Sequence, residues 1–420
     1  MKEVLWIEGG HPLKGTLRVS GSKNATLPLL AATLLTEEAC VLEGIPDVQD
    51  VRMFLALIEH LGGRVSYDPA YERVRIEAKN VSSQTPPEEV VKRMRASVLT
   101  MGSLLARLGV VEVSLPGGCA IGQRPIDQHL KGFEALGAKV ALQNGHVRLQ
   151  TSGLTGHGVR FAVPTVTGTE NLLMAASLAK GATTIENAAL EPEVAELCTA
   201  LQKMGVDIEG EGTSRITVYG KKRLGGFVHR VCRDRIEAAT YLIASALAGE
   251  EVVLEGAPLE HMNAVVEVLG EAGVSIEAEG GRARAFTGGA LKPCRVRTAP
   301  YPGFPTDVQA QLMVLLTRAN GASLIEEKIF ENRLMHAEEL RRMGAAIEVE
   351  GPLAKVLGPC RLQGARVLAT DLRASACLVL AGLVAGGETL IEGLHHLDRG
   401  YERMEEKLRS VGARVERIEA

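Results

Sequence analysis

The stretch PGGCAIGQRPID, residues 116–127, holds the residue types best suited to chemistry in this chain. Gly117, Gly118 and Gly122 give a backbone able to adopt positive φ and to move as a lid. Cys119 places among them a thiol with an unperturbed pKa of about 8.5, a nucleophile or acid near neutral pH. Arg124 follows as a permanent cation that can grip a phosphate or a carboxylate with paired N–H groups. A glycine-rich hairpin around an inert, buried cysteine is the plain alternative, and packing alone gives no reason for the arginine beside it.

Such a loop needs elements to hold it, and the sequence repeats one pattern six times. An Ala/Leu-rich helix leads to a β-branched strand, a loop, a second helix ending in Gly, and another strand. The first helices read SKNATLPLLAATLL, RMRASVLTMGSLLA, GTENLLMAASLA, RIEAATYLIASALA, TDVQAQLMVLL and DLRASACLVLAGLVA. The second helices finish EHLGGRV, EALGAKV, QKMGVDI, GEAGVSI, RRMGAAI and RSVGARV, with Gly expected just past the last turn. Copies recur about every 70 residues, longer than the period of common solenoids. Two three-copy domains are expected, with the seam near residue 229: copies one to three, carrying the cysteine loop, before it and copies four to six, residues 230–420, after it.

The repeat sorts the polar residues into two classes. Lys23 with Asn24, Arg95, Thr169, Arg235, Asp307 and Arg373 fall where first helices begin. Cys119 with Arg124, Glu191, Arg333 with His336, and Arg399 fall in the loops before second helices. Helix N-termini carry free N–H groups and partial positive charge, which suits an anionic ligand. If the copies pack about pseudo-threefold axes, these positions gather at one end of each domain.

A net charge of −4 argues against a nucleic-acid binder, so anions must be held by local Arg and Lys clusters. Seven scattered cysteines without a C-x-x-C pair fit a reducing cytoplasm and give no zinc-site spacing. No signal-peptide pattern and no run of about 18 apolar residues points to a membrane.

SGSKNATLP, PGGCAIGQRPID, FPTDVQAQ, ENRLMH, TDLRASA and DRGYER, in this order and spacing, resemble the UDP-N-acetylglucosamine branch of the enolpyruvyl transferase family. The similarity runs from about residue 4 to about residue 418. It implies an α/β fold, a two-domain inside-out α/β barrel with three βαβαββ repeats in each domain, and an N-terminal strand, residues 1–20, that joins residues 230–420 in one domain and leaves residues 21–229 as the other. It also implies transfer of the enolpyruvyl group of phosphoenolpyruvate to the 3′-hydroxyl of UDP-N-acetylglucosamine, with phosphate leaving through a tetrahedral intermediate.

By the same resemblance Cys119 is the acid and the thiol that fosfomycin alkylates. Asp307 either takes the hydroxyl proton or orients the hydroxyl. Lys23, Arg124 and Arg399 hold phosphoenolpyruvate, Asn24 touches substrate, and Arg95 lies between the two ligands. Arg124, Pro125, Ile126, Asp127 and Gln128 surround the uracil, and Ile329 and Asp307 contact the sugar or diphosphate. Pro164 stands where some members carry lysine, which shifts diphosphate contacts to the N–H groups of Val166, Thr167 and Gly168. Glu191, Arg333, Asp371 and Arg373 match family positions near the cleft and serve equally well as supporting ion pairs. No cofactor, metal, nucleic acid or membrane is implied. The shikimate branch shares the fold but lacks the cysteine loop, and a non-enzymatic scaffold would lose the polar tips that persist here.

Overall fold

The computed structural model of the chain describes residues 3–82, 85–86, 94–114, 121–122, 125–143 and 145–419. Its twelve described helices are of two kinds that alternate along the chain. The first kind comprises α1 (Lys23–Ala32), α3 (Thr100–Leu108), α5 (Val166–Ser177), α7 (Arg235–Ala248), α9 (Gln309–Leu316) and α11 (Leu372–Val384). The second comprises α2 (Gln49–His60), α4 (Asp127–Ala135), α6 (Pro192–Lys203), α8 (Asn263–Glu271), α10 (His336–Arg342) and α12 (Met404–Ser410).

The first kind is apolar on nearly every face and is buried accordingly; in α11 every residue from Arg373 to Leu383 is buried. The second kind is amphipathic. In α2 the buried residues Asp50, Val51, Phe54, Leu55, Leu57 and Ile58 make one stripe, apolar apart from Asp50 at the helix start, and Arg52 and Glu59 are exposed on the other side. Strand burial alternates, as in Arg73–Glu77 and Arg215–Tyr219, so each sheet has one face on the helices and one toward water. Helices inside and sheets outside make the inside-out α/β barrel expected from the motifs.

All six second helices stop at a glycine in the left-handed region: Gly62, Gly137, Gly205, Gly273, Gly344 and Gly412, with φ between 90° and 103°. The glycine N–H bonds back to the last turn, as from Gly205 to the Gln202 carbonyl at 2.9 Å, and Val206 reaches the Leu201 carbonyl at 3.1 Å. Glycine alone takes this conformation without strain, which is why the motif survives in every copy.

The described residues form two compact units. One holds the described parts of Met1–Ser20 and Arg233–Ala420 together with Ile121 and Gly122; the other holds the rest. Each unit has its own hydrophobic core, the first around α7, α9 and α11, the second around α1, α3 and α5.

A repeat contributes a short leading strand parallel to a central strand, which is followed in the ladder by an antiparallel pair. In the fifth copy the order is Arg295–Arg297, Gly321–Glu326, Leu353–Gly358, Ala346–Glu350. The residue 1–20 segment departs from the single strand expected of it, because it supplies two strands to two sheets. Glu3–Glu8 lies antiparallel between Glu388–Glu392 and Arg414–Glu419, with Leu5 opposite Ile391 and Val4 opposite Ile418. Leu13–Arg18 runs parallel to Gly249–Glu255 and opens the fourth copy's sheet. In the other unit the equivalent leading strand comes from the far end, Val228–Arg230 beside Cys40–Glu43.

Candidate active site

The described polar residues singled out in the sequence lie at helix starts or in the turns that precede helices, in both units. Cys119 and Arg124 fall outside the described residues. Of their loop, Ile121 and Gly122 belong to the first unit, where the Asn332 N–H donates to the Ile121 carbonyl at 3.0 Å. Gly122 has φ +139°, a backbone conformation that glycine takes without strain and other residues rarely adopt.

In the second unit, Ser22 caps α1 by accepting the Ala25 N–H at 3.2 Å, and Lys23 is the first helical residue. Lys23 is only 9% exposed, and its Nζ lies 3.2 Å from Oδ2 of Asp50 on α2, itself 2% exposed. Desolvating an ammonium is costly, and Asp50 is the partner that offsets it. Asn24 follows Lys23, half-buried, and Arg95, also half-buried, opens the 3₁₀ turn Arg95–Leu99 that leads into α3.

Before α4, Pro125 is exposed and Ile126 buried; Asp127 is exposed and sits 3.9 Å from Lys131. Gln128 clasps the backbone ahead of α5. Its Oε1 accepts the Ala162 and Val163 N–H groups at 2.7 and 3.3 Å, and its Nε2 donates to the Val163 carbonyl at 3.1 Å. His129 Nε2 adds a 3.0 Å contact to Thr167 Oγ1. The Gly168 N–H, expected to face a diphosphate, instead donates to Thr165 Oγ1 at 3.2 Å, because Thr165 is the N-cap of α5. Beside it, burial pushes the Glu170 carboxyl well above the usual carboxylate range, with Glu193 and Glu191 adding repulsion. Glu191 is the N-cap residue of α6.

In the first unit, Asp307 sits in the 3₁₀ turn Thr306–Val308 that opens α9. Its carboxylate lies between two guanidiniums, Oδ1 at 2.8 Å from Arg333 Nη1 and Oδ2 at 2.8 Å from Arg373 Nη2. Asp371 caps α11, accepting the N–H groups of Arg373 and Ala374 at 2.8 and 3.1 Å, and so presents Arg373 at the helix start. Burial opposes the charge on Arg373, yet Asp307, Tyr401 and Asp234 hold its pKa above the ordinary arginine value.

The loop after Gly321–Glu326 is shaped by Glu327, a buried carboxylate that sequence reasoning missed. It accepts the hydroxyls of Thr298 and Thr306 at 2.9 and 2.8 Å and the N–H of Ile329 at 2.8 Å. This fixes Ile329 and, through Thr306, the turn that carries Asp307. His336, at the start of α10, is buried; burial pushes its imidazole down to about 4, Asp371 opposing and Arg333 reinforcing. Arg399 is half-buried in the turn after Leu394–His396, close enough that its charge, with burial and His395, lowers the His396 pKa. The neighbouring Asp398 pairs with Arg417 at 2.5 Å, tying that turn to the last strand.

The structure thus gathers Asp307, Arg333, Arg373 and the Ile329 loop into one polar group, and Lys23 with Asp50 into another. Glu170, Glu327 and Asp50 had no legible signal, because each lies among polar neighbours in the sequence, as in TGTENL and LIEEKI. No group of three or more His, Cys, Asp or Glu able to hold a metal occurs among the described residues. No described helix is long and apolar enough to cross a membrane.

Comparison with known proteins gives a consistent result. Residues 7–408 match the family model described as EPSP synthase (3-phosphoshikimate 1-carboxyvinyltransferase). The chain is 51% identical over 414 residues to the UDP-N-acetylglucosamine 1-carboxyvinyltransferase of Koribacter versatilis, covering 98% of this chain and 96% of that protein. It is 48% identical over 417 residues to UDP-N-acetylglucosamine 1-carboxyvinyltransferase 1 of Caldanaerobacter subterraneus, covering 99% and 100%. Among solved structures, the enolpyruvyl transferase NikO from Streptomyces tendae matches with TM-score 0.91 at 26% identity, over 100% of this chain and 99% of that one. EPSP synthase from Acinetobacter baumannii shares the fold, with TM-score 0.75 at 18% identity and 100% of both chains covered. A full-length sequence match, a shared two-unit architecture and six motifs in register leave one conclusion: this chain belongs to the EPSP synthase family of enolpyruvyl transferases, in the group of the UDP-N-acetylglucosamine 1-carboxyvinyltransferases.

Proposed function

We propose that the protein transfers the enolpyruvyl group of phosphoenolpyruvate to the 3′-hydroxyl of UDP-N-acetylglucosamine, releasing phosphate, as the committed entry to peptidoglycan synthesis in the cytoplasm. The observation that carries this reading is the 51% identity, over 98% of the chain, to a protein named for that reaction. The six described cysteines are free thiols, which supports a reducing compartment.

In the reaction C3 of phosphoenolpyruvate gains a proton while the hydroxyl oxygen bonds to C2, giving a tetrahedral intermediate. Loss of a proton from C3 and departure of phosphate from C2 then restore the double bond. Cys119 is the proposed proton donor to C3. Asp307, held by two arginines, accepts or orients the hydroxyl proton, a task for a fixed carboxylate. Lys23, Arg124 and Arg399 neutralise phosphate and carboxylate, with Arg95 and Asn24 at the junction of the ligands. Arg124, Pro125, Ile126, Asp127 and Gln128 take the uracil. Here the Gln128 amide is spent on the Ala162–Val163 backbone, so its contribution is its position and its side-chain methylenes. Ile329 and Asp307 contact the sugar or its diphosphate.

Phosphate release is measured with UDP-N-acetylglucosamine and, separately, with shikimate 3-phosphate as acceptor. Turnover only with the sugar nucleotide is expected; turnover with shikimate 3-phosphate alone would reassign the chain to the other branch. Fosfomycin should add its mass to the wild-type protein and not to Cys119→Ser.

A further inference from the structure

Three polar side chains meet in the middle of the first unit's apolar core. Thr240 on α7 and Gln311 on α9 are fully buried, and Tyr401, from the turn that carries Arg399, is 2% exposed. Gln311 Nε2 lies 3.0 Å from the Asp307 carbonyl, 3.0 Å from Thr240 Oγ1 and 3.1 Å from Tyr401 Oη. Thr240 Oγ1 and Tyr401 Oη are 2.9 Å apart, and Thr240 Oγ1 is 2.8 Å from the Ile236 carbonyl.

Proton counting fixes the polarity. Two of these partners, the carbonyls of Asp307 and Ile236, can only accept. The amide nitrogen of Gln311 must therefore face Asp307, and the one Thr240 hydrogen goes to Ile236. Tyr401 then donates to Thr240 and accepts from Gln311. Burial, against the pull of Arg373, keeps the phenol pKa above its ordinary value, so the hydroxyl stays a donor. The same ring lies under the Arg373 guanidinium, 5.4 Å from its centroid.

Asp307 is consequently held twice through Tyr401. Its carbonyl is gripped by Gln311, which touches the Tyr401 hydroxyl, and its carboxylate by Arg373, which covers the Tyr401 ring. Gln311 Oε1 is left buried without a hydrogen bond, so the cluster is maintained at a cost in stability that an apolar trio would avoid. A network kept against that cost, spanning three sequence-distant elements, serves geometry.

We propose that Tyr401, acting with Gln311, is a positioning residue that locks the turn bearing Asp307 to the turn bearing Arg399. The proposal rests on the enolpyruvyl transfer reading, and its test keeps the two apart. Tyr401→Phe removes one hydroxyl and keeps the ring; Gln311→Met removes the amide at similar volume.

With phosphoenolpyruvate and UDP-N-acetylglucosamine, each variant should lose about tenfold in kcat, while both KM values stay within about twofold. The double variant should lose no more than either single one, because both break the same lock. A loss in kcat that multiplies in the double variant, a change confined to KM, or a kcat within about twofold of wild type would each overturn the proposal. A second readout needs no turnover. Amide hydrogen exchange in residues 306–311 and 398–403 should speed up together in Tyr401→Phe, and exchange that rises in one segment only would overturn the lock. Wild-type protein inactive on the sugar nucleotide would instead defeat the enolpyruvyl transfer reading, leaving the exchange result to decide the coupling.

Discussion

Asp307 shows how one side chain can serve fold and chemistry at once. Arg373 is 3% exposed and could not remain buried and charged without the carboxylate 2.8 Å away. The nearby His336 is the opposite case, a base buried in its neutral form. Its native pKa of about 4 lies below the ordinary 6.5, so the unfolded chain binds the proton first as the pH drops. Stability from this group is complete above about pH 6.5 and drains away toward pH 4, at up to ~1.4 kcal/mol per pH unit. Urea midpoints at pH 7, 5.5 and 4.5 should therefore fall more steeply for wild type than for His336→Gln. Parallel curves would show that another group governs the acid limb.

Among elements, the helix ends carry the clearest contrast. A Cβ on Gly205 would meet nothing within 4 Å, so Gly205→Ala has only the left-handed backbone to contend with and should cost about 1 kcal/mol. Gly102 on α3 has ordinary helical surroundings, but a Cβ there would sit 2.3 Å from the Asn171 carbonyl oxygen on α5. Gly102→Ala must push two packed helices apart and should cost about 3 kcal/mol, read as a larger drop in denaturation midpoint than Gly205→Ala gives. Equal costs would mean that α3 and α5 are free to separate. The six C′ glycines were legible in the sequence because they act within a few residues of themselves. The Thr240, Gln311 and Tyr401 cluster was not, since its partners are 71, 90 and 161 positions apart and each residue alone looks like ordinary helix or loop. The bond from the Gly168 N–H to Thr165, the cap three residues earlier, is equally local and went unread.

At the level of the whole chain, the units differ in how they are closed. The unit between Gly21 and Cys232 draws all its described strands from one continuous stretch, save the short Ile121–Gly122 excursion. The other relies on Leu5, Ile7, Leu13, Leu17 and Val19 for part of its core. A fragment of residues 21–232 should accordingly unfold cooperatively on its own. A fragment of residues 233–420 should not, until residues 1–20 are fused after residue 420; calorimetry of the three proteins checks this, and cooperative unfolding of 233–420 alone would refute it. The two strands in residues 3–18 thus have partners made much later. During translation, at about 5–20 residues per second, Glu3–Glu8 leaves the ribosome first and waits tens of seconds for Arg414–Glu419. Throughout that time the inserted unit can complete itself, while a β segment with the apolar run Val4–Ile7 hangs from it with both edges open. An open strand of this kind is a template for pairing with another chain, so the wait itself is the exposure that this topology carries.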